Sequence, residues 1–270
     1  MLIKIMVALI VLAEVILCWP FGLVDSVADI WVPFALLPLL IVGVVVLYFL
    51  FLSVIAVFIN KKKFCEKPVP LCKYMIDITA EAFVQLLNVE VEFNGMEKIP
   101  TDRRFLLVSN HRSAGDPFVL VPQLRKYGVA FISKPENFKI PWAGEFAHKS
   151  CYLPIDRENA RNAMKTLRVA TDYIKNDIVS IVIYPEGTRT RTGELLEFKD
   201  GIFYVAKRAE CPIVVLTCQN TEKVFKNLFK RRLKVRMDVL DVIEPEEFKD
   251  KTTHDISDEV RNKMLEHLGK

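Results

Sequence analysis

The sequence predicts an α/β fold, a mixed sheet covered by helices, with an N-terminal membrane-embedded helical hairpin. Two observations support this prediction: apolar residues are concentrated near the N-terminus, and further along the chain short apolar runs alternate with longer segments of helical periodicity. Strands that alternate with helices are most economically assembled as a sheet covered by helices. We therefore divide the chain into an N-terminal membrane anchor of two apolar helices, residues 1–60, and a cytoplasmic domain, residues 61–270.

The anchor contains a segment long enough to cross a bilayer. Residues 30–59 carry no charge, and the part from Pro38 onward would span roughly 33 Å as a helix. Pro33 and Pro38 fit near the start of such a helix, where a missing backbone N–H costs least. A long and uniformly apolar helix of this kind is typical of a membrane span.

The first 18 residues are also apolar, but this stretch is shorter and includes Glu14. A cleaved signal peptide is an alternative, although its basic region would hold only Lys4 and no small-residue cleavage site is evident before the second apolar run. Two helices in a hairpin, or one spanning helix with a second at the interface, both fit this pattern. We favour the pair.

The chain beyond residue 60 is modestly basic. Residues 1–60 hold one of the 37 Lys and Arg and three of the 33 Asp and Glu, which leaves 36 basic and 30 acidic residues and a net charge of +6. That balance suits phosphates or a lipid surface and falls short of the clustering expected for nucleic-acid binding. Residues 61–63 are three lysines directly after the apolar segment, so the positive-inside rule predicts an integral membrane protein whose downstream domain is cytoplasmic.

The six cysteines include no CxxC pair, and no histidine stands at zinc-ligand spacing. We therefore predict neither a disulfide framework nor a metal site. Reduced thiols in a cytosolic domain are the simplest interpretation.

Predicted helices and strands follow one another along the second part of the chain. Residues 72–88 place apolar side chains at helical spacing, and residues 89–93 alternate apolar and acidic side chains as a strand does. Asn94 and Gly95 are a turn signal. The remaining segments, in chain order, are RFLLVSN, DPFVLVPQLRKYG, VAFIS, CYLPID, RENARNAMKTLRVATDYIKN, IVSIVIYPEG, KDGIFYVAKRAE, CPIVVLTCQ and LKVRMDVLDVI.

In RFLLVSNHRSAGDP an apolar strand breaks into a polar loop. Asp116 fits the N-cap of the next helix and Pro117 its first position. One interpretation is architectural, with Asp116 only capping the helix and His111 only occupying the loop. The other is catalytic: a turn at Gly115 folds Asp116 back toward His111, and the carboxylate orients the imidazole as a general base for a substrate hydroxyl.

In IVIYPEGTRTRTG, residues 181–193, a second apolar strand breaks into a polar loop. Backbone N–H groups around Gly187, the Thr188 hydroxyl and the Arg189 guanidinium together would bind a phosphate monoester, and a solvated turn is the alternative. Arg191 lies in the same loop. Because ligands of α/β proteins bind at strand ends, two polar loops that each leave a strand predict a shared site.

These motifs resemble those of the glycerolipid acyltransferase family, the PlsC-like 1-acylglycerol-3-phosphate acyltransferases. NHRSAGD is similar to its NHx4D box and YPEGTR to its EGTR box. The segments FISKPENFKIPWAGEFAHKSCYLPIDREN and CPIVVLTCQN resemble two further boxes, so the resemblance covers roughly residues 75–245. The last box departs from the usual form, with Val215 where a second proline is common and Cys211 before the first proline.

The resemblance implies a role for each matching residue. His111 would be the general base and Asp116 its orienting partner, while Lys134 and Arg189 would bind the acceptor phosphate. The acceptor site would be shaped by Glu186, Gly187 and Thr188. For Asp156 and Arg157, which match the "IDR" box, a structural ion pair and a ligand contact both fit.

The expected reaction is direct acyl transfer from acyl-CoA or acyl carrier protein to the sn-2 hydroxyl of 1-acylglycerol-3-phosphate, with no cofactor beyond the donor. Expected partners are the lysophospholipid, the thioester donor, membrane lipid and, as the alternative to acyl-CoA, acyl carrier protein, and nucleic acid is not among them. Alternatives are a membrane-bound lipid ester or thioester hydrolase using the same His111, or transfer to another lysolipid or to glycerol-3-phosphate. A third alternative is a membrane scaffold without catalytic activity, which would leave the combination of His111, Asp116, Glu186 and Arg189 unexplained.

Overall fold

The computed structural model describes residues 1–59, 65–190, 192–227 and 232–269. The chain divides into two compact units, Met1–Asn60 and Lys61–Lys270. The lysines at 61–63 and Arg191, which the sequence singled out, lie outside the described residues. The assignment of the two units as membrane anchor and cytoplasmic domain stays a prediction.

The first unit is built from two helices that pack against each other, α1 (Leu2–Cys18) and α2 (Val32–Val57). Pro33 lies in the first turn of α2 as expected, but Pro38 lies inside the helix, where it removes the backbone hydrogen bond toward residue 34. Half of the α2 residues are exposed, for example Phe34 at 77%. In the described residues one segment, Val27–Val57, is long and apolar enough to cross a membrane, and a membrane-embedded hairpin stays a prediction.

The second unit confirms the predicted mixed sheet covered by helices. Its seven described strands are ordered β1-β7-β6-β2-β5-β3-β4. They are β1 (Val89–Asn94), β2 (Leu106–Ser109), β3 (Val129–Ser133), β4 (Leu153–Pro154), β5 (Ser180–Ile183), β6 (Ile213–Gln219) and β7 (Leu233–Ile243). β6, β2, β5, β3 and β4 are parallel, whereas β7 pairs antiparallel with β6 and parallel with β1.

Two layers of helices cover the sheet. The helices are α3 (Pro70–Leu86), α4 (Gly115–Gln123), α5 (Ala143–Lys149), α6 (Ala160–Lys175), α7 (Tyr204–Ala209), α8 (Pro245–Phe248) and α9 (Thr253–Leu268). One apolar cluster joins α6, α7 and α9 to one sheet face, and a second joins α3 and α4 to the other. The central strands β2 and β5 are fully buried because both of their faces are covered, which explains their unbroken apolar sequences.

Helix starts agree with local side-chain chemistry. Asn159 is the N-cap of α6, and its side chain accepts a hydrogen bond from Asn162 N at 3.1 Å. Thr252 and Asp255 form a reciprocal capping box at the start of α9. These caps define where the covering helices begin on the sheet.

Candidate active site

The ends of the parallel strands meet at one edge of the sheet. His111 and Asp116 follow β2, Lys134 follows β3, and residues 186–189 follow β5. Since β2, β5 and β3 are parallel neighbours, these segments all leave the sheet at the same edge.

His111 and Asp116 are in direct contact. Nδ1 of His111 lies 2.6 Å from Oδ2 of Asp116. Asp116 is fully buried, whereas the His111 side chain is 14% exposed. The carboxylate accepts from Nδ1–H, so the other ring nitrogen, Nε2, is the atom that can take a proton from a ligand.

The Asp116 carboxylate also organises the loop around it. Its Oδ2 accepts hydrogen bonds from the backbone N–H groups of Arg112 and Ser113 at 2.8 and 3.0 Å. The predicted N-cap role of Asp116 and the predicted first position of Pro117 are wrong, because α4 begins two residues earlier, at Gly115, with Ala114 as its N-cap. Asp116 instead lies in the first helical turn, and its side chain folds back over the loop to reach His111.

Glu186 joins the two polar loops. Its Oε1 accepts a hydrogen bond from His111 N at 2.6 Å, and its Oε2 accepts one from Leu196 N at 3.0 Å. Thr190 N completes the link by donating to His111 O at 3.0 Å. Burial raises the pKa of the Glu186 carboxyl, and the hydrogen bonds from His111 and Leu196 oppose that shift.

Tyr184 packs directly on the imidazole, a contact that the motifs did not reveal. The His111 and Tyr184 rings are stacked, with centroids 4.2 Å apart and planes inclined by 15°. Tyr184 is buried, which raises its pKa well above the ordinary value, with the Asp116 charge adding to the shift. The position of Tyr184 immediately after β5, two residues before Glu186, was the available sequence signal.

Asn110 is a second residue whose role sequence reasoning missed. It is buried, its Nδ2 donates to Cys218 O at 3.0 Å, and its Oδ1 accepts from Cys218 N at 2.7 Å. The side-chain amide therefore continues the hydrogen-bond ladder between β2 and β6 by one more step. This fixes the backbone immediately before His111.

Gly187 turns the second loop with a φ of +69°, a conformation that side chains disfavour. A Cβ built there would lie 3.7 Å from Lys199 Cγ and 3.9 Å from Arg157 Cδ, so two cationic side chains flank this turn. Thr188 and Arg189 follow it and are exposed. The turn is therefore surrounded by positive charge suited to an anionic group.

Lys134 is exposed and caps the short 3₁₀ segment after β3. In the described residues no hydrogen bond joins Lys134, Thr188 or Arg189 to His111. Asp156 accepts from Glu158 N and Asn162 Nδ2 rather than pairing with Arg157. Burial lowers the pKa of the Arg157 guanidinium, and the Glu136 charge opposes that shift.

This chain is similar to known acyltransferases over much of its length. The acyltransferase family model matches residues 90–219. The crystal structure of the 1-acyl-sn-glycerophosphate (LPA) acyltransferase PlsC from Thermotoga maritima superposes with a TM-score of 0.59 at 26% identity, covering 73% of this chain and 79% of that chain.

The chain belongs to the glycerolipid acyltransferase family. Similar members include 1-acyl-sn-glycerol-3-phosphate acyltransferase alpha from Ovis aries, 30% identical over 67% of this chain and 63% of that protein. Another is 1-acyl-sn-glycerol-3-phosphate acyltransferase from Limnanthes douglasii, 29% identical over 53% of this chain. The chain matches only about half, 50%, of the Limnanthes protein's length.

Two of the segments that resemble the family's boxes, NHRSAGD and YPEGTR, are the two loops that Glu186 connects. His111, Asp116 and Glu186 all lie in these two segments. No group of three or more His, Cys, Asp or Glu side chains in the described part of the chain could hold a metal ion.

Proposed function

We propose that this chain is a membrane-bound acyltransferase that moves a fatty acyl group from an acyl thioester to the sn-2 hydroxyl of 1-acylglycerol-3-phosphate, giving phosphatidic acid. The observation that carries the proposal is the contact between His111 and Asp116. A buried carboxylate 2.6 Å from Nδ1 holds a partly exposed imidazole in the orientation that a general base needs. The relatives are named as 1-acyl-sn-glycerol-3-phosphate acyltransferases, which supports 1-acylglycerol-3-phosphate as the acceptor.

In the proposed mechanism the acceptor hydroxyl donates its proton to His111 Nε2 as its oxygen attacks the thioester carbonyl. Asp116 stabilises the imidazolium that forms and keeps the ring from turning. When the tetrahedral intermediate collapses, the imidazolium returns the proton to the departing thiolate. The reaction is direct, and both substrates are bound when the bond forms.

The acceptor phosphate is proposed to bind at the Gly187 turn. Lys134 and Arg189 leave neighbouring parallel strands at the same edge as His111. Gly187 and Thr188 supply a close backbone approach and a hydroxyl. Glu186 contributes indirectly, because both of its oxygens already accept backbone hydrogen bonds.

No cofactor beyond the acyl donor is part of the proposal, and the donor is acyl-CoA or acyl carrier protein. The α2 helix is proposed to anchor the chain in a membrane, and the lysines at 61–63 to keep the second unit on the cytoplasmic face. An anchored enzyme meets its lysolipid acceptor within the plane of the bilayer.

The test is acyl transfer from labelled acyl-CoA to 1-acylglycerol-3-phosphate by the detergent-solubilised full chain. We expect His111→Ala to lower kcat by roughly 10²- to 10⁴-fold, the usual contribution of a positioned base. Asp116→Asn should cause a loss of similar size, because its amide no longer holds the imidazole in the required tautomer.

A reaction without acceptor is the control. If fatty acid is released equally fast without acceptor, the enzyme is a thioester hydrolase and not a transferase. If His111→Ala is as active as wild type, His111 and Asp116 have only a structural role.

A further inference from the structure

Three phenylalanine rings form a continuous strip on the surface of the second unit. Phe83 of α3 lies 5.2 Å from Phe118 of α4, and Phe118 lies 5.9 Å from Phe225, measured between ring centroids. Phe118 is 38% and Phe225 39% exposed, and Leu86, one helical turn after Phe83, is 58% exposed. Adjacent large apolar side chains left this open to solvent indicate a contact surface.

The phenylalanine strip is fixed to the loop that carries His111. Phe118 follows Asp116 by two residues, and the segment that carries Phe225 is tied to the same loop. Ser113 Oγ donates to Thr221 O at 2.8 Å, and Arg112 Nε donates to Glu222 Oε2 at 2.9 Å. Whatever covers the strip therefore lies beside the candidate active site.

The surroundings of the strip are positively charged. Lys223 and Lys226 flank Phe225 and are exposed. Lys223 Nζ donates to the neutral Asn220 side chain at 2.8 Å, so its charge is not cancelled. Lys226 forms no ion pair with any residue that the structure describes, and the Glu222 carboxylate is occupied by Arg112.

Exposed aromatic rings bordered by lysines match the chemistry of a bilayer surface that contains anionic lipids. The rings can enter the headgroup and upper acyl region, while the ammonium groups remain near lipid phosphates. An acidic carrier protein would suit the lysines equally well. It would not require a strip of three adjacent aromatic rings.

We propose that Phe83, Phe118 and Phe225, with Lys223 and Lys226, form a second membrane contact on the body of the protein, separate from the N-terminal helices, and that it binds an anionic lipid surface. Its role rests on the proposed function: it presents His111 at the level of lipid headgroups, where the acceptor hydroxyl lies.

The contact can be measured with a fluorescent probe on the full chain. All six native cysteines are buried, so an added surface cysteine can be labelled selectively. Leu86→Cys, at an exposed position one helical turn after Phe83, places nitrobenzoxadiazole beside the strip without changing a ring or a lysine. The matched control is Lys175→Cys, at the exposed end of α6 on the opposite face of the sheet.

Both labelled proteins are reconstituted into phosphatidylcholine vesicles with and without phosphatidylglycerol, and quenching by lipids with a spin label on the upper acyl chain is recorded. We expect the probe at position 86 to be quenched, more strongly with phosphatidylglycerol, and the probe at 175 to be unaffected. Equal behaviour of the two probes in both vesicles would overturn the proposal. So would shielding of the probe at position 86 by acidic acyl carrier protein but not by lipid.

Activity provides an independent measurement. Phe118→Ser with Phe225→Ser should lower transfer to a long-chain acceptor in anionic vesicles by about tenfold, the order expected when apolar anchors are removed. Transfer to a short-chain acceptor that is soluble in water should not change. Equal loss with both acceptors would contradict the proposal, whereas wild-type protein without any transfer but with a quenched probe would refute only the proposed function.

Discussion

At the scale of single residues, Glu186 shows how a motif residue can act without touching a ligand. Both carboxylate oxygens accept backbone hydrogen bonds, one from the residue that is proposed to be the base. The resemblance assigned Glu186 to the acceptor site, and the observed contacts indicate that it holds the two loops together. Its effect on an acceptor would then be indirect, through the position of His111.

Glu186→Gln should lower kcat more than it changes KM for the acceptor. The amide retains one acceptor oxygen for two N–H donors and turns its own N–H group toward the second donor. The expected loss is about tenfold or more, since one charge-assisted hydrogen bond of roughly 1.5–3 kcal/mol disappears. Steady-state kinetics with varied acceptor separates the two parameters, and a change in KM alone would favour direct ligand binding.

Glu186 also predicts a pH dependence of stability. Its folded-state pKa is raised, first of all by burial, so the folded protein binds a proton more tightly than the unfolded chain does. Its contribution is present below about pH 4.3, the ordinary value for Glu, and declines as pH rises through the raised folded value. Thermal unfolding measured upward from about pH 4 should therefore show a smaller decline in Tm for Glu186→Gln than for wild type.

Tyr184 should act through its ring rather than its hydroxyl. The ring stacks on His111, whereas the hydroxyl has no hydrogen-bond partner among the described residues. Tyr184→Phe should therefore keep kcat within about twofold, while Tyr184→Leu, which frees the imidazole to change rotamer, should lower it by about tenfold. A shifted pH–rate profile in Tyr184→Leu alone would identify positioning of the base. Equal losses in both variants would assign a role to the hydroxyl.

At the scale of elements, the site depends on how closely the loop after β6 approaches the start of α4. A Cβ at Gly115 would lie 3.0 Å from Thr221 O, 3.1 Å from Ser113 Oγ and 3.2 Å from Val224 Cβ. Glycine is therefore required there by contact rather than by an unusual backbone angle. The same contact holds the phenylalanine strip against the histidine loop.

Gly115→Ala should move one of these two segments and lower activity, with a loss of roughly 1–3 kcal/mol in the free energy of unfolding, as for other overpacked positions. Gly201→Ala is the matched control, because nothing lies within 4 Å of its added Cβ and its φ is not in the left-handed region. Chemical denaturation and acyl-transfer assays of both variants check this. Wild-type behaviour of Gly115→Ala would contradict the close packing.

Most elements could be predicted because the strands of a covered sheet are short apolar runs with clear ends. Residues 72–88 and 89–93 were predicted as helix and strand and are α3 and β1 within about two residues. The antiparallel direction of β7 could not be predicted, because a strand's own sequence does not record the direction of its neighbours. The short α5 lies between the segments VAFIS and CYLPID, where the sequence analysis predicts no helix.

The candidate site was predictable to a different degree. The pairing of His111 with Asp116 is one of the two interpretations that their spacing across a turn leaves open, and the structure shows that contact. The contacts of Glu186, Tyr184 and Asn110 depend on which strands are neighbours in the sheet, and the order of strands is a tertiary property. A linear motif cannot specify it.

At the scale of the whole molecule, α2 should determine how firmly the chain is held in a membrane. Gly43 lies near the middle of this helix, and Leu47 is one turn later and 63% exposed. Gly43→Arg with Leu47→Arg adds two charges that each cost about 2.5–3.5 kcal/mol in a bilayer centre.

The double variant should be released by alkaline carbonate, while wild type and Gly43→Ala should remain in the membrane pellet. Quantitative immunoblotting of pellet and supernatant measures the ratio. Release of the wild-type protein by alkaline carbonate would contradict the proposal that α2 anchors the chain in a membrane.

The pairing of β1 with β7 has a consequence for the order in which the protein folds. Asn94 of β1 and Asp238 of β7 are hydrogen-bonded at 2.7 Å although 144 positions separate them in the chain. The hydrogen bond from Asn110 to Cys218, which fixes the backbone before His111, likewise joins residues 108 positions apart. Contacts of such long range form slowly. During synthesis the apolar N-terminal helices therefore leave the ribosome well before the histidine loop can be completed. Under the proposed anchoring, the chain would reach the bilayer first and become competent for the proposed acyl transfer last.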